Sequence, residues 1–412
     1  MIYGCIAEKL SHSFSKEIHS KLYEEPYTLR EVPKDELDSF MNTRDFQAIN
    51  VTIPYKEAVI PYLDEISPIA KDIGAVNTIV NKNGKLYGYN TDFMGLRALI
   101  QRAGIEIKDR KVLVLGSGGT SKTAYAVAKH LGCREVYRVS RNGKDGCITY
   151  EEAKNIHADT RILINTTPCG MYPNLGGSAV DLNDYPMVEG VVDAVYNPLR
   201  SQLVCEALNK GIPATGGLYM LVAQAVYAVE KFKDISIPAE KIEEIFTALE
   251  REKENIVLIG MPGCGKTTVG TALSQQLGME LIDTDALIVA KDGRDIPAIF
   301  SREGETVFRD LESAAIREAA ARQHCIIATG GGAVLRQENM DFLRQNGRIY
   351  FIDRPLEALL PTDDRPLSSD RQALEKRCTE RYSLYCGACD RHIRTVDTPE
   401  QVIQAIKEDF TK

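Results

Sequence analysis

Two glycine-rich loops, each directly after a run of apolar residues, constrain the fold of this chain more than any other feature. Gly116-Ser117-Gly118-Gly119 follows residues 111–115, and residues 260–267 follow the apolar run 256–259. Glycine lets the backbone approach a phosphate closely, and the unpaired N–H groups that begin the next helix favour negative charge. The first loop has the form that seats a dinucleotide, and the second has the form that seats a nucleoside triphosphate. We therefore expect two nucleotide sites and two activities in one polypeptide.

Length and composition bound the class of protein. At 412 residues the chain is too long for one ordinary core, because domains usually hold about 100–200 residues. With 44% hydrophobic and 26% charged residues, it has the composition of a soluble globular protein. A formal charge of -8 argues against a broad nucleic-acid surface, which requires clustered Lys and Arg. We expect several domains that bind small molecules and no nucleic acid.

Targeting and redox features predict a cytoplasmic protein without a membrane segment. No basic segment followed by an apolar one begins the chain, and no later run is long enough to span a bilayer. The ten cysteines are scattered through apolar patterns, which is typical of reduced thiols rather than of disulfides. Cys378, Cys386, Cys389 and His392 could supply soft metal ligands, but a single CxxC on a predicted helix favours a structural role. Metal binding by this cluster stays open.

The apolar pattern predicts the α/β fold class in three domains. Residues 1–92 alternate short β-branched runs with helical stretches, as in an α/β lobe. Residues 93–253 alternate strands and helices in a succession that predicts a parallel, doubly wound Rossmann lobe. The charged stretch at 250–255 marks a boundary without a flexible linker, and residues 254–412 repeat the βα alternation. The strands of the second lobe are expected at residues 112–115, 135–139, 161–164, 190–193 and 212–214.

The first glycine loop indicates NADP as the cofactor. Gly116, Gly118 and Gly119 carry no side chains and open a helix, so their backbone can approach a pyrophosphate. The next strand is followed by Ser140 and Arg141, where domains that prefer NAD carry an acidic residue for the ribose hydroxyls. An arginine suits the additional phosphate of NADP. The alternative is a simple glycine turn with a surface arginine.

A hydride acceptor also needs a proton source for the oxygen on the reduced carbon. Lys56 and Asp92 each end a strand pattern that is rich in small polar groups. An ammonium group can donate the proton, and a carboxylate can orient the donor. The alternative is that both are solvated surface charges, which is the usual position of an isolated Lys or Asp.

The second glycine loop is a complete P-loop between an apolar strand and a helix. Backbone N–H groups would cradle the phosphates, Lys266 would reach the β and γ oxygens, and Thr267 would ligate Mg²⁺. The residues expected to hold the nucleotide are Gly260, Gly263, Gly265, Lys266, Thr267 and Thr268.

Two acidic residues follow the next apolar run. Alternation on an extended strand would project Asp283 and Asp285 to one side, so that one serves the metal and the other the substrate. The alternative for such a pair is a helix N-cap cluster.

Residues 1 to about 250 resemble shikimate dehydrogenase. The matching stretches are His12-Ser13-Phe14-Ser15, residues 50–56, 74–78, 90–92, 165–171, 193–198 and 220–224. The resemblance implies a two-lobed dehydrogenase with Lys56 and Asp92 as the catalytic pair. The residues that it implies for substrate binding are Ser13, Ser15, Thr52, Asn77, Asp92, Tyr196 and Gln224. The chain departs from the family at Lys16, where proline is usual, and at Ser140-Arg141-Asn142, where Asn-Arg-Thr is usual.

The remainder of the chain resembles shikimate kinase, an α/β P-loop fold like that of nucleoside monophosphate kinases. Its matching stretches are residues 260–267, 281–285, 307–310, 329–334, 364–367 and 380–385. The resemblance implies that Asp283 supports Mg²⁺ and that Asp285 binds and activates the acceptor hydroxyl. It implies a carboxylate site of Arg309, Arg381, Gly331 and Gly332, and a catalytic Arg365 on a closing lid. The lid segment looks shorter than in the family, which leaves nucleotide affinity open.

Together these features predict a fused enzyme of aromatic amino acid biosynthesis. We expect NADPH-dependent reduction of 3-dehydroshikimate to shikimate, followed by phosphorylation of shikimate with ATP and Mg²⁺. One rival is a quinate/shikimate dehydrogenase fused to a small-molecule kinase, and another is a nucleotide-sensing module whose catalysis has lapsed. The sequence leaves open the oligomeric state and whether shikimate is channelled between the sites.

Overall fold

The computed structural model describes residues 2–10, 14–359, 371–394 and 398–411. The chain forms two compact units. The first comprises Met1–Met171, Gly177–Asn197 and Glu206–Ala248, and the second comprises Tyr172–Gly176, Pro198–Cys205 and Leu249–Lys412. The three expected domains, 1–92, 93–253 and 254–412, stay a prediction.

A six-stranded sheet of mixed direction lies near the amino terminus of the first unit. Its strands are β1 (Tyr3–Ala7), β2 (Tyr27–Glu31), β3 (Ala48–Val51), β4 (Glu65–Ile66), β5 (Thr78–Lys82) and β6 (Lys85–Tyr89), and helices α1 (Ser15–Ser20), α2 (Leu37–Thr43) and α3 (Pro68–Ile73) accompany them. The order is β2-β1-β3-β5-β6-β4, with β1 parallel to β2 and β3, and β5 antiparallel to β3 and β6. Val51 N donates to Asn77 O at 2.8 Å, which brings the chain that follows β3 beside Asn77.

The second sheet of the first unit is entirely parallel, as predicted. Its strands are β7 (Lys111–Leu115), β8 (Glu135–Val139), β9 (Ile162–Asn165), β10 (Gly190–Asp193) and β11 (Ala214–Thr215), in the order β11-β10-β9-β7-β8. The helices before, between and after these strands are α4 (Thr91–Arg102), α5 (Gly119–His130), α6 (Tyr150–Ile156), α7 (Gln202–Asn209), α8 (Leu218–Lys233) and α9 (Glu240–Lys253). The carboxyl ends of β7 and β8, which are neighbours, lead into the glycine loop and into Ser140.

The second unit contains a third sheet, also parallel. Its strands are β12 (Asn255–Ile259), β13 (Glu280–Asp283), β14 (Cys325–Ala328), β15 (Gly347–Asp353) and β16 (Arg391–Arg394), in the order β13-β14-β12-β15-β16. The helices are α10 (Lys266–Leu277), α11 (Thr284–Asp292), α12 (Ile296–Ala320), α13 (Gln337–Asn346), α14 (Arg371–Ala388) and α15 (Pro399–Thr411). The central strand β12 leads directly into the P-loop.

The apolar runs before the two glycine loops are inner strands of their sheets, β7 and β12. Residues 112–115 and 256–259 are fully buried, each at 0% exposure. Parallel strands covered on both faces read as continuous apolar runs, which is why no alternation is visible there. Burial of these strands therefore anchors both loops on rigid elements.

Among the helices, α12 is interrupted at Gly304, whose φ of 84° is not helical. Helix α8 is apolar along most of its length and packs against α4. No helix in the described part of the chain is both long and apolar enough to cross a membrane.

Two short segments complete the second unit. Residues 172–176 and 198–205 come from earlier in the chain than the rest of this unit. Arg200 N donates to Gln345 O at 2.9 Å, and Gln345 Nε2 donates to Leu175 O at 3.2 Å. Gln345 is buried, so these bonds are shielded from water.

Candidate active sites

In the first unit, Lys56 and Asp92 form a close ion pair. Lys56 lies in the loop after β3, and its Nζ is 2.6 Å from Asp92 Oδ2. Their side chains are only 13% and 9% exposed, so neither is a solvated surface charge. Asp92 lies in the first turn of α4, where Asn90 caps the helix by accepting from Phe93 N at 3.0 Å. The positive end of the helix dipole favours a carboxylate at that position.

A cluster of neutral polar groups lies beside the ion pair. Asn77 Oδ1 accepts from Thr91 N at 2.7 Å, and Asn77 Nδ2 donates to Thr91 Oγ1 at 3.0 Å. The same Nδ2 lies 3.5 Å from Oε1 of Gln224, a residue of α8. Amide and hydroxyl groups both donate and accept hydrogen bonds, which suits a ligand with several hydroxyls.

The other residues expected to bind substrate include Ser15, Thr52 and Tyr196, which lie on different segments of the first unit. Ser15 begins α1, and Thr52 directly follows β3, with its N bound to Ile6 O at 3.1 Å. Tyr196 is largely buried against Phe14, with ring centroids 5.3 Å apart, and burial raises the pKa of its phenol so that it stays protonated. Ser13 lies outside the described residues.

The first glycine loop forms a cradle at the start of α5. Gly116 has a φ of 123°, and a Cβ there would lie 2.6 Å from Thr166 Oγ1, so no other residue fits. Gly118 precedes the helix without a side-chain cap, and a Cβ on it would meet nothing within 4 Å. Gly119 faces Lys56, whose Cδ would be 3.6 Å from a Cβ. Open helix N–H groups next to Lys56 fit a dinucleotide phosphate in reach of the ion pair.

The end of β8 carries the two residues expected at the ribose phosphate. Ser140 is buried, and its N donates to Ile148 O at 2.9 Å. Arg141 is exposed at the turn that follows, and no acidic residue takes its position. This donor set fits a phosphorylated ribose rather than a plain diol.

In the second unit, the P-loop has the backbone that its glycines predict. Gly260, Gly263 and Gly265 have φ values of 148°, 78° and 95°. Lys266 is buried, and its Nζ donates to Gly260 O at 2.9 Å and to Met261 O at 3.0 Å. The lysine is thus held by carbonyl groups of its own loop, and it must turn toward a phosphate to neutralise it.

The two acidic residues after the P-loop helix are arranged differently from the prediction. Asp283 ends β13, but Asp285 lies in the first turn of α11 and not on an extended strand. Asp283 Oδ1 caps α11 by accepting from Asp285 N at 3.0 Å, while Oδ2 accepts from Thr267 Oγ1 at 2.8 Å. The expected strand alternation is therefore wrong, because the helix begins at Thr284. Hydroxyl and carboxylate oxygens nevertheless meet, which is the donor set that Mg²⁺ prefers.

Two arginines converge on the glycine stretch after β14. A Cβ on Gly332 would lie 1.8 Å from Arg309 Nη1, and Arg381 Nη1 donates to Gly331 O at 2.9 Å. Both guanidinium groups are buried, and among the described residues Arg381 Nε has no hydrogen-bond partner. Planar guanidinium groups with unused donors fit a carboxylate. A Cβ on Gly330 would lie 2.7 Å from Asp285 Oδ1, which places the acidic residue beside this cluster.

Sequence reasoning missed Glu312, which is 1% exposed and lies one helical turn after Arg309. Its Oε2 accepts from Arg309 Nη1 at 2.7 Å. Burial raises the pKa of Glu312, although Arg309 opposes this shift. The (i, i+3) spacing between an arginine and a glutamate was the available signal. Arg365 and the lid segment around it lie outside the described residues.

The cysteine cluster shows no metal geometry. Cys378 and Cys386 lie on α14, and His392 Nε2 is bound to Asp353 Oδ2 at 2.8 Å. In the parts of the chain that the structure describes, no three His, Cys, Asp or Glu side chains are placed to hold an ion. All ten cysteines are free thiols.

Comparison with known proteins gives the family. Residues 5–79 match the family described as shikimate dehydrogenase substrate binding domain. The shikimate dehydrogenase (NADP(+)) of Clostridium beijerinckii is 38% identical over 267 residues, which cover 61% of this chain and 98% of that protein. The chain belongs to the shikimate dehydrogenase family. Residues 262–411 match the family described as shikimate kinase, so this dehydrogenase carries a kinase domain after it.

Solved structures agree with this assignment. A chorismate mutase/shikimate 5-dehydrogenase fusion protein from Clostridium acetobutylicum is 38% identical with a TM-score of 0.57, covering 60% of this chain and 97% of that chain. The shikimate 5-dehydrogenase of Thermus thermophilus in complex with NADP(H) and shikimate is 28% identical with a TM-score of 0.54. The match covers 60% of this chain and 99% of that chain. The predicted family, fold class, enzyme classes and cofactors NADP(H), ATP and Mg²⁺ are confirmed, and a lapsed nucleotide sensor is not favoured. The roles of individual residues stay predictions.

Proposed function

We propose that the protein catalyses two consecutive steps, reduction of 3-dehydroshikimate to shikimate and phosphorylation of shikimate to shikimate 3-phosphate. When bound, NADPH supplies the hydride of the first step and MgATP supplies the phosphoryl group of the second. The observation that carries the proposal is the buried contact of 2.6 Å between Lys56 and Asp92 beside an open glycine loop. This contact supports the proposal because an ammonium group held by a carboxylate can donate a proton.

In the first step, the Lys56 ammonium donates a proton to the ketone oxygen as that oxygen gains charge. Asp92 holds the ammonium in place and accepts a hydrogen bond from a substrate hydroxyl. Asn77 and Gln224 bind the remaining hydroxyls, and Thr52 adds a further neutral contact. Ser13, Ser15 and Tyr196 complete the pocket around the ring and its carboxylate.

In the second step, Asp285 accepts the proton of the reacting hydroxyl. Arg309 and Arg381 bind the carboxylate and thereby orient the ring, while Thr267 and Asp283 would hold Mg²⁺. Lys266 leaves its loop carbonyls for the phosphates. Arg365 would steady the transferred group from the lid, where exclusion of water strengthens each charge interaction.

The direct test is product analysis after the full-length protein is incubated with 3-dehydroshikimate, NADPH, Mg²⁺ and ATP. We expect shikimate first and shikimate 3-phosphate after it. Lys56→Ala is expected to lose reduction by at least about 100-fold and to phosphorylate added shikimate normally. Lys266→Ala is expected to stop at shikimate.

Lys71→Ala is the matched control, because Lys71 is exposed on α3 and should leave both activities unchanged. If either active-site change abolished both activities while the protein stayed folded, the hypothesis of two separate sites would be wrong. If the first site turned over quinate faster than shikimate, quinate would be its substrate and the proposed reaction of the first site would be wrong.

We also propose a cytoplasmic location. The ten cysteines are free thiols, including pairs such as Cys386 and Cys389 that lie close in sequence. Such thiols persist in reducing compartments, where NADPH and ATP are also available. Fractionation of the native source with a dehydrogenase assay tests this, and activity confined to a membrane or extracellular fraction would contradict it.

A further inference from the structure

A buried chain of hydrogen bonds lies behind Asn77 in the first unit. The Tyr27 hydroxyl donates to Asn50 Oδ1 at 2.8 Å, and Asn50 Nδ2 donates to Thr78 Oγ1 at 3.3 Å. Thr78 Oγ1 in turn donates to Asn77 Oδ1 at 3.1 Å. All four residues are less than a tenth exposed, at 6%, 8%, 0% and 3%. Water is therefore not available to replace any of these bonds.

The first member of this chain fixes the orientation of the Asn50 amide. The phenol of Tyr27 is protonated, because burial raises its pKa well above the usual value. Since Asn50 Oδ1 accepts from it, Asn50 presents its NH₂ group to Thr78. The Thr78 hydroxyl lies 3.1 Å from both Asn77 Oδ1 and Thr91 Oγ1, and its single proton can serve either oxygen. Thr91 N donates to the same Asn77 oxygen at 2.7 Å. The oxygen of Asn77 thus faces the protein, and its NH₂ group faces Thr91 Oγ1 and Gln224.

Tyr27 itself is held firmly. Its ring stacks on His19 with centroids 3.8 Å apart and an interplanar angle of 10°. Burial lowers the pKa of His19 to about 3, so the imidazole is neutral at ordinary pH and adds no charge to the cluster. His19 Nδ1 also lies 3.0 Å from the Tyr23 hydroxyl. The hydroxyl of Tyr27 therefore has a single well-defined position.

We propose that Tyr27 and Thr78 are positioning residues of the dehydrogenase, which fix the Asn77 amide so that its N–H groups serve the substrate. The site then offers a hydrogen-bond donor at this point and binds a substrate oxygen. Without the chain of bonds, the amide of Asn77 is held by Thr91 and by the longer contact of 3.5 Å with Gln224 Oε1. This inference rests on the substrate-binding role proposed for Asn77.

The test uses Thr78→Val, Thr78→Ser and Tyr27→Phe in the full-length protein. We expect Thr78→Val to raise KM for 3-dehydroshikimate by about five- to tenfold and to change kcat by less than about twofold, because Asn77 binds the substrate throughout the reaction. Thr78→Ser keeps the hydroxyl and should restore KM. Tyr27→Phe should raise KM by about threefold, and the double variant should not exceed Thr78→Val, because both changes break one chain.

Two matched controls separate positioning from general loss of structure. Thr160→Val removes a buried hydroxyl that donates to His157 O at 2.7 Å. Tyr62→Phe removes a tyrosine hydroxyl whose hydrogen bond to Asp38, at 3.2 Å, is exposed. Neither should change KM. The kinase activity of each preparation reports the amount of protein whose second unit is folded, and thermal unfolding reports the stability of the first unit.

Lower thermal stability of Thr78→Val with an unchanged KM would overturn the inference and make these residues merely structural. Additive effects of the two changes on KM would also overturn it. If the unaltered protein did not reduce 3-dehydroshikimate at all, the proposed function would fail instead, so the two failures are distinguishable.

Discussion

Lys56 and Lys266 show how two lysines beside glycine loops differ in chemistry. Lys56 faces a carboxylate at 2.6 Å, whereas the Lys266 ammonium donates to two carbonyl groups of its own loop. A lysine paired with a carboxylate can donate a proton and then be protonated again. A lysine held only by carbonyl groups can turn away from them and bring its positive charge to a phosphate. The first arrangement suits proton transfer to a ketone, and the second suits neutralisation of phosphates.

Glu312 should control how well the kinase binds its acceptor. Its pKa is raised by burial, so it takes up a proton at a higher pH than an exposed glutamate. Once protonated, it no longer attracts Arg309 as a charge. We expect KM for shikimate to rise as the pH falls through this raised pKa, and Glu312→Gln to have a high KM at every pH. Kinase assays at a series of pH values measure both effects.

The matched control for this prediction is Glu305→Gln. Glu305 also binds Arg309, at 2.9 Å, but its side chain is 51% exposed. Because exposed ion pairs contribute little, this variant should keep the KM profile of the unaltered protein. Equal effects of the two changes would show that burial of Glu312 has no special role.

At the scale of elements, both nucleotide sites lie where a buried parallel strand meets the start of a helix. Strand β7 leads to α5 through Gly116, and strand β12 leads to α10 through Gly260, Gly263 and Gly265, all of which have positive φ. The strand fixes the position of the loop, and the helix supplies N–H groups for an anion. The geometry of both loops depends on glycines, which have no side chain, rather than on a contact made by a particular side chain.

Gly260→Ala should remove kinase activity and leave the dehydrogenase intact. A Cβ there would lie 2.6 Å from Ile352 O, which is a backbone atom and cannot move aside. We expect a loss of at least about 100-fold in kcat, because displacement of the loop misplaces the phosphates. Separate assays of the two activities on one preparation provide the measurement.

Gly278→Ala is the control at the other end of α10. Its φ of 70° is also positive, but a Cβ would meet nothing within 4 Å. It should cost about 1–2 kcal/mol of stability and keep kinase activity. Retained kinase activity in Gly260→Ala would show that the close approach to Ile352 is not required.

At the scale of the whole molecule, the chain forms two units that do not follow the chain order strictly. Residues 198–205 belong to the second unit, although they precede its main body, which begins at Leu249. Arg200 Nε donates to Arg344 O at 2.7 Å, and its Nη2 donates to Gly347 O at 3.0 Å. Its guanidinium also lies 3.4 Å from Glu254, whose side chain is 5% exposed. The stability of the second unit thus depends on a residue outside the kinase-like sequence.

Arg200→Ala should destabilise the second unit by about 2 kcal/mol, because it leaves buried acceptors without their donor. Urea unfolding followed by kinase activity measures the change. Arg322→Ala is the control. Arg322 forms an ion pair with Glu280 in which the two side chains are 47% and 64% exposed, respectively, so the pair should contribute under about 1 kcal/mol. An equal loss in both variants would mean that Arg200 acts only as a surface charge.

Comparison of expected and observed elements shows what local pattern can predict. The strands expected at 135–139 and 190–193 match β8 and β10, because β-branched and aromatic residues favour strands. The strand expected at 212–214 is β11, Ala214–Thr215, a two-residue edge strand with few apolar neighbours to mark its ends. Asp283 and Asp285 fit two patterns, the end of a strand and a helix N-cap cluster, and the structure has the second because Asp283 caps α11. A helix start that depends on one capping side chain is hard to distinguish from a strand end by local pattern.

Local sequence pattern is sufficient to predict the fold class, the two nucleotide loops and the residue types expected at both sites, because these features depend on neighbours within a few positions. Which of these groups meet depends on the fold. Lys56 and Asp92 are 36 positions apart, and Asn77 and Gln224 are 147 apart, so their contacts arise from strand order and helix packing. Burial likewise set the charge behaviour of Glu312, because the loss of water around a carboxylate depends on the atoms that the fold brings to surround it.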